Sequence, residues 1–163
     1  METLVPRPAT GADVPAVEAL VAAAYGHYVA RIGMPPLPMV DDYPARVAAG
    51  QVWVVDAPDG GGPDDVPGPL LALVVLEEEP DHLEVDNVAV HPGAQGRGLG
   101  RALLDFAHAR AVAAGLPELR LMTNELMTEN QAIYEHLGWR RVGGVVREGR
   151  RAVRYAKPVT PGA

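Results

Sequence analysis

The sequence predicts a single α/β domain over residues 1–163, with a mixed, mainly antiparallel sheet of about six to seven strands flanked by about four helices. Short runs with a two-residue apolar period alternate with longer runs at helical spacing, which is typical of mixed folds. One step of the sheet is expected to be parallel. A strand over 83–90 and a strand over 119–123 flank one helix, and such a crossover joins parallel neighbours.

The first half of the chain is predicted to hold short elements around a proline-rich segment. Thr10 as a cap and Pro15 in the first turn indicate a helix to about Tyr25. Residues 26–40 contain too many prolines for a regular element, and residues 57–69 are turn formers that predict a mobile surface loop. The predicted elements are a strand over 3–7, helices over 10–25 and 42–49, and antiparallel strands over 51–56 and 70–77.

The second half is predicted to begin with an acidic, solvated turn over 77–81. A helix that follows the strand over 83–90 ends near Ala114, where Gly115 and Pro117 break the chain. A further helix over 128–137 ends at Gly138. Strands over 139–146 and 151–157 are expected to close the sheet as a hairpin, and residues 158–163 are expected to be a frayed tail.

Residues 83–101 carry the clearest functional signal. Alternation places Leu83, Val85, Asn87 and Ala89 on one face, so polar side chains lie inside a central strand. A glycine-rich loop then opens a helix. Free N–H groups and the positive dipole end attract anions at a helix start, and glycines allow close approach to the backbone. The residues predicted to bind phosphate are Gln95, Gly96, Arg97, Gly98, Leu99, Gly100 and Arg101.

Three known patterns of phosphate-binding loop differ in the spacing of their glycines. A Walker loop needs Gly-Lys-Ser/Thr, whereas this chain has Gly100-Arg101-Ala102, so that interpretation fails. A dinucleotide fingerprint needs a third glycine at the position of Arg101, so the evidence for a dinucleotide site is weak. The third pattern, Gln/Arg-x-x-Gly-x-Gly/Ala, is met in full, and a glycine turn that only packs a helix on a sheet remains the plain alternative.

The loop pattern at Gln95, Gly98 and Gly100, with Val88-Ala89-Val90-His91-Pro92 before it, closely resembles the GNAT superfamily of acyl-CoA-dependent N-acyltransferases. The segment from Tyr134 to Trp139 resembles the Tyr-x-x-Leu-Gly-aromatic segment of that family. The clear match spans residues 83–139. The resemblance implies a GNAT-like fold, acetyl-CoA as cosubstrate, no metal, and direct attack by the primary amine of a small acceptor.

The resemblance also implies roles for individual residues. The strands around the loop would splay, and the backbone of Val88, Ala89 and Val90 would pair with the pantetheine arm. Tyr134 would be the general acid, with Glu84 or the fallback Asp86 as base. Residues 26–40 would wall the acceptor site, for which the candidate side chains are Tyr25, Tyr28 and Met34.

One position departs from the family pattern. Many members carry an asparagine seven residues before the tyrosine, and here that position is Met127. Asn130 or Asn124 could take its place, and Asn130 is the candidate for cofactor binding. Two function classes stay open on this fold, an N-acetyltransferase and an acyl-CoA-binding sensor without turnover. A dinucleotide enzyme, which would bind NAD, is a third.

Charge is divided unevenly along the chain. Residues 1–86 hold 15 acidic and 3 basic side chains, a balance of -12, and residues 87–163 hold 6 acidic and 11 basic ones, a balance of +5. A basic half suits polyanionic CoA, and an acidic half suits a cationic acceptor, although acidic loops can also be merely solvated. The sequence has no basic stripe with interleaved aromatic residues and its net charge is negative, so nucleic acid is disfavoured as a partner.

Composition excludes several other classes. The chain has no cysteine, and its five histidines lack metal-ligand spacing, so neither disulfides nor a thiolate or zinc site is expected. The N-terminus has no apolar leader, and the longest apolar run, 70–76, is too short to cross a bilayer. We therefore expect a cytoplasmic protein without membrane partners, and a homodimer is one candidate assembly. Thirteen arginines against one lysine indicate a G+C-rich bacterial genome.

Overall fold

The computed structural model describes residues 5–58 and 70–160. Within them lie five α-helices and seven strands. The helices are α1 Val14–Tyr25, α2 Tyr28–Ile32, α3 Tyr43–Ala48, α4 Leu99–Ala114 and α5 Thr128–His136. The strands are β1 Arg7–Pro8, β2 Val52–Asp56, β3 Leu70–Glu78, β4 Leu83–Val90, β5 Glu118–Asn124, β6 Arg140–Arg147 and β7 Arg150–Pro158.

The strands form one seven-stranded sheet in the order β1-β2-β3-β4-β5-β7-β6. The pairs β1/β2, β2/β3, β5/β7 and β6/β7 are antiparallel, and β4/β5 is parallel. This confirms the predicted mixed, mainly antiparallel sheet with β4 at its centre. It also confirms the parallel step around the glycine loop.

The chain divides into two compact units. The first comprises Met1–Leu76 and Asn87–Phe106, and the second comprises Glu77–Asp86 and Ala107–Ala163. In the first unit α1 contacts α3, and β3 from Leu70 to Leu76 is buried throughout, which accounts for its unbroken apolar sequence. In the second unit β5, β7 and β6 form an antiparallel set around the fully buried Tyr155. A single domain over 1–163 stays a prediction.

The prediction of an irregular segment over 26–40 was wrong in part. It contains α2 and a 3-10 turn at Leu37–Val40, so the structure has five helices where about four were expected. The prolines lie only from Pro35 onward, which leaves Tyr28–Ile32 free to form a helical turn. Gly33, with φ of 86°, ends that turn in the left-handed region, where glycine carries no Cβ penalty.

The structure also differs from the prediction at both chain ends and at the acidic turn. The first strand lies at Arg7–Pro8 rather than over 3–7, and residues 1–4 are outside the described part. Residues 158–160 are held rather than frayed: Pro158 belongs to β7, Val159 N donates to Pro117 O at 2.9 Å, and Thr160 N donates to His108 Nε2 at 3.1 Å. Glu77 and Glu78 extend β3 into the expected acidic turn. Of the predicted mobile loop over 57–69, residues 59–69 lie outside the described residues, as do 161–163.

An ion-pair network ties β1 to the start of α1 and to the end of β2. Arg7 Nη1 donates to Asp13 Oδ2 at 2.9 Å, and Arg7 Nε donates to Asp56 Oδ2 at 2.6 Å. Asp13 also accepts from Thr10 N at 2.7 Å. The hydrogen bond from Arg7, and next the bond from the Thr10 backbone, lower the pKa of Asp13 to about 2, against the opposing effect of burial.

We expect Asp13→Asn to lower the free energy of unfolding by about 1 kcal/mol at pH 7, because the Arg7 pair is partly screened by solvent. Since the folded-state pKa of Asp13 is lowered, its stabilisation is full above about pH 4 and is lost as the pH falls toward 2. Urea unfolding of both proteins from pH 7 to pH 2 measures this. A difference between them that stayed constant over that range would contradict the assignment.

Candidate functional site

The glycine loop has a backbone conformation that its sequence requires. Gly96 and Gly98 have φ of 83° and 79°, in the left-handed region that non-glycine residues rarely adopt. A Cβ built on either would meet no heavy atom within 4 Å, so the space over the loop is open. His91 accepts from Gly93 N at 3.0 Å and so fixes the turn that precedes the loop.

The start of α4 presents donors and positive charge to that open space. Ala102 N donates to Gly98 O at 3.0 Å, so the N–H groups of Leu99, Gly100 and Arg101 have no partner inside the helix. Leu99 is 4% exposed and anchors the helix start. The side chains of Arg97 and Arg101 are exposed. Open space, helix-start N–H groups and two exposed guanidiniums together fit a pyrophosphate.

Two further contacts fix the loop against the preceding chain. Arg97 Nη2 donates to Gly93 O at 3.3 Å, and Gln95 Nε2 donates to Val90 O at 3.4 Å. Both side chains therefore have modest internal bonds that a bound anion could replace. Cofactor binding by residues 95–101 stays a prediction.

The central strand β4 alternates as expected. Leu83, Val85, Asn87 and Ala89 are buried, while the residues between them are half-buried. Its register with β5 runs from Leu83↔Leu119 to Val85↔Leu121. From Glu118 to Asn124, β5 also pairs with β7 on its other side.

Asn87 lies in a buried polar cluster that the sequence did not predict. The Tyr25 hydroxyl lies 2.6 Å from Asn87 Oδ1 and 2.9 Å from Val88 O, and Asn87 Nδ2 donates to the Tyr43 hydroxyl at 3.0 Å. Tyr43 in turn donates to Pro38 O. Buried phenols and amides need such partners, and the two bonds to the Asn87 side chain join residues that are 62 and 44 positions apart.

The three candidate acceptor contacts lie at different depths. Tyr25 and Tyr28 are buried, at 8% and 7% exposed, and Met34 is half-buried. The Tyr28 ring lies 4.0 Å from the His27 ring, and Arg31 Cζ lies 5.0 Å from the Tyr28 centroid. Tyr25 thus supports β4, and its hydroxyl competes for the Val88 carbonyl predicted to pair with pantetheine. Acceptor contact by these side chains and pantetheine pairing by Val88, Ala89 and Val90 stay predictions.

The second unit contains an open cavity of about 480 Å³. Both candidate bases line it, which is the juxtaposition that the alternation of β4 predicted. Its carboxylates are Glu77, Glu79, Glu84, Asp86 and Glu118, and its guanidiniums are those of Arg120, Arg140, Arg147 and Arg154. Ligand pockets for small molecules are commonly of this size.

Glu84 has a histidine partner that sequence reasoning missed. His82 Nε2 lies 3.1 Å from Glu84 Oε1, and His82 Nδ1 lies 2.7 Å from Asp81 Oδ1. The bond with His82, and next the charge of Arg120, lower the pKa of Asp81. His82 therefore connects Glu84 to a second carboxylate. The only available signal was its position two residues before Glu84, on the same face of an extended chain.

Tyr134 lies in an aromatic cluster on α5. Its ring is 6.0 Å from Trp139 and 5.9 Å from Tyr155. The Tyr155 hydroxyl donates to Glu135 Oε2 at 2.6 Å, and burial together with this bond raises the pKa of Tyr155 to about 12. Tyr134 is half-buried and is not among the residues that line the cavity. Its role as general acid stays a prediction.

The environment of Met127 explains part of the departure at that position. The Met127 sulfur is buried and accepts from Asn130 Nδ2 at 3.6 Å and from Thr123 Oγ1 at 3.8 Å. Asn124 Oδ1 accepts from Leu126 N at 2.9 Å. Asn130 thus keeps a weak internal partner, and Asn124 caps the turn before α5. Cofactor binding by Asn130 stays a prediction.

Two kinds of feature are absent from the part of the chain that the structure describes. Over 5–58 and 70–160, no group of three or more histidine, aspartate or glutamate side chains could hold a metal ion. In the same ranges, no helix has the length and apolar character needed to cross a membrane.

The mixed, mainly antiparallel seven-stranded sheet, with a glycine loop that opens α4 after the central strand, is the fold of acyl-CoA-dependent acyltransferases. Residues 48–141 match the profile of the acetyltransferase (GNAT) domain. The chain belongs to this family, whose members use acetyl-CoA.

One relative and two solved structures show how far the similarity extends. The chain is 38% identical over 96 residues to a mycothiol acetyltransferase of Beutenbergia cavernae, covering 58% of this chain and 32% of that protein. The chain therefore spans about a third of the length of that relative. An acetyltransferase of the GNAT family from Listeria monocytogenes superimposes with a TM-score of 0.70 at 15% identity, covering 95% of this chain and 94% of that one. The ribosomal-protein-S18-alanine N-acetyltransferase of Escherichia coli superimposes with a TM-score of 0.68 at 19% identity, covering 98% and 96%. At such identities these structures support the fold alone.

Proposed function

We propose that this chain is an N-acetyltransferase that moves the acetyl group of acetyl-CoA to a primary amine of a small molecule. The observation that carries the proposal is the loop before α4. Two left-handed glycines, the free N–H groups of the helix start and two exposed arginines form a site for the pyrophosphate of CoA. The acceptor amine is cationic at neutral pH, and the carboxylates of the cavity would attract it.

The reaction is direct attack. The amine nitrogen forms a bond to the thioester carbonyl carbon, the C–S bond breaks, and the sulfur leaves with the electron pair. A lysine-like ammonium with a pKa of about 10.4 must first lose a proton, which Glu84 or Asp86 accepts. Tyr134 then protonates the departing thiolate, since a phenol with a pKa of about 10 is still protonated at pH 7, and the second proton that the nitrogen loses on amide formation restores the phenol.

The remaining assignments belong to the same proposal. Pantetheine pairs with the backbone at Val88–Val90 and contacts Asn130, and Tyr25, Tyr28 and Met34 serve the acceptor side. The single-domain organisation, the cytoplasmic location and a homodimer remain predictions from the sequence alone.

A binding and turnover experiment tests the function. Calorimetry with acetyl-CoA and with NAD, followed by a thiol-release assay over a panel of primary amines, distinguishes three outcomes. Binding of acetyl-CoA with thiol release supports the proposal, and binding without release for any amine indicates a sensor. Binding of NAD in place of acetyl-CoA would overturn the loop assignment.

We expect Gly98→Val to weaken acetyl-CoA binding by at least tenfold. A β-branched residue at a φ of 79° strains the backbone by about 1–3 kcal/mol, and the loop would leave the conformation that presents its N–H groups. Calorimetry of the folded variant measures the affinity.

The matched control is Gly50→Val, which carries the same kind of strain at a φ of 73° outside the loop. It should lose stability and keep its affinity for acetyl-CoA. Equal affinities in the two variants would contradict the loop assignment.

A further inference from the structure

The cavity of the second unit separates its charges by strand. Glu84 and Asp86 lie on β4, Arg154 lies on β7, and Arg140 and Arg147 lie on β6. In the sheet order, β5 and β7 stand between β4 and β6. Glu84 and Asp86 therefore line one side of the cavity and Arg140, Arg147 and Arg154 line the other, with Glu118 and Arg120 of β5 between them.

The strand register aligns these groups across the sheet. Glu84 pairs with Arg120, Arg120 with Ala156, and Ala156 with Arg140, so the four residues form one row across four strands. The small Ala156 leaves room between the charged ends of this row. In the next row Arg154 pairs with Met122 and Gly143, and the glycine again leaves space beside the guanidinium.

The arginines of the cavity differ in whether their side chains already have ion-pair partners. Arg120 is bonded to Glu118 and donates to Asp81 at 3.3 Å. By contrast, no side-chain hydrogen bond or ion pair is made by Arg140, Arg147 or Arg154 within the residues that the structure describes. These three side chains are exposed, so solvent weakens their mutual repulsion, but their N–H donors are available to an anion in the cavity.

We infer that the acceptor is a zwitterion, which carries an anionic group as well as its primary amine, and that Arg140 and Arg154 bind the anion while the amine lies at the β4 carboxylates. This inference rests on the proposed acetyl transfer and specifies its substrate class. Guanidinium groups match carboxylate and phosphate oxygens through paired N–H donors. A diamine would instead bring a second positive charge against these arginines.

The sheet also limits the length of the acceptor. Neighbouring strands lie about 4.8 Å apart, so the backbones of β4 and β6 are about 14 Å apart. Strand side chains stand roughly perpendicular to the sheet, so hydrogen bonds of about 3 Å at each end leave about 8 Å between the amine and the anion. The acceptor is thus the size of an amino acid with an extended side chain, or of a dipeptide.

A set of amines of equal length tests the inference. The probes are 6-aminohexanoate, hexylamine, 1,6-diaminohexane and 5-aminopentylphosphonate, with thiol release as the readout. We expect kcat/KM for 6-aminohexanoate to exceed that for hexylamine at least tenfold and that for the diamine by more. The phosphonate shows whether the arginines prefer a carboxylate or a phosphate-like anion.

Variants identify the residues responsible. Arg154→Ala and Arg140→Ala should each raise KM for 6-aminohexanoate about tenfold and reduce its advantage over hexylamine. Arg151→Ala is the matched control, because Arg151 is exposed on the same hairpin and does not line the cavity. It should leave both substrates unchanged.

The failures of the two proposals can be told apart. Absence of acetyl-CoA binding would overturn the proposed function. If acetyl-CoA binds and kcat/KM for hexylamine or the diamine equals that for 6-aminohexanoate, the proposed function is supported and the zwitterion inference is overturned. If no amine is acetylated, calorimetry of 6-aminohexanoate with the wild type and Arg154→Ala decides, since equal or absent binding overturns the inference.

Discussion

Replacing Tyr134 with phenylalanine should lower kcat by roughly 10²-fold while the affinity for acetyl-CoA stays nearly constant. The substitution keeps the ring that packs 6.0 Å from Trp139 and 5.9 Å from Tyr155, and it removes only the hydroxyl. Without that proton donor the thiolate must leave unprotonated. Steady-state kinetics together with calorimetry measure both quantities.

Tyr155→Phe is the control for this result, because it removes a hydroxyl from the same aromatic cluster. Its hydroxyl is bonded to Glu135, so we expect a loss of about 1 kcal/mol in unfolding free energy and a kcat within about threefold of the wild type. A folded Tyr134→Phe protein with normal kcat would assign Tyr134 a packing role only.

Removal of the base should produce the second large effect. We expect either Glu84→Gln or Asp86→Asn to lower kcat/KM at pH 7 by roughly 10²-fold or more, because an amide of the same shape cannot accept a proton from the ammonium. The affected variant should recover part of its rate at high pH, where free amine becomes abundant. A pH profile of kcat/KM for both variants measures this.

Glu79→Gln supplies the comparison for charge alone, since Glu79 lines the same cavity and removal of its charge weakens the field without removing a proposed base. We expect its rate to fall by less than about fivefold. Full activity in both Glu84→Gln and Asp86→Asn would mean that a water molecule or another group deprotonates the amine.

Local patterns allowed most of the fold to be predicted, because the period of a strand or helix is written in neighbouring residues. The strand over Leu83–Val90 and the end of the next helix at Ala114 were both placed correctly. The helix at Tyr28–Ile32 was missed because the prolines that follow it masked a short, proline-free stretch. Such short helices depend on packing more than on propensity.

Contacts between distant segments explain what could not be predicted of the site. The row from Glu84 to Arg140 exists only because β7 lies between β5 and β6, which no local pattern reveals. The excess of basic residues in the second half predicted a binding surface for CoA. Three of those residues, Arg140, Arg147 and Arg154, instead line a cavity together with carboxylates. Charge balance predicts that opposite charges exist, and strand order decides where they meet.

The buried amide of Asn87 protects the central strand against misalignment. Its oxygen and nitrogen each meet a tyrosine hydroxyl, at 2.6 Å to Tyr25 and 3.0 Å to Tyr43. If β4 slipped by one residue, a neighbour such as Val88 would come to lie between the two phenols, and each phenol would lose its hydrogen bond to the amide at a cost of about 1 kcal/mol. A strand with only apolar residues on this face would not distinguish the two alignments so strongly. The cluster thus lowers the free energy of the correct strand register relative to the register shifted by one residue.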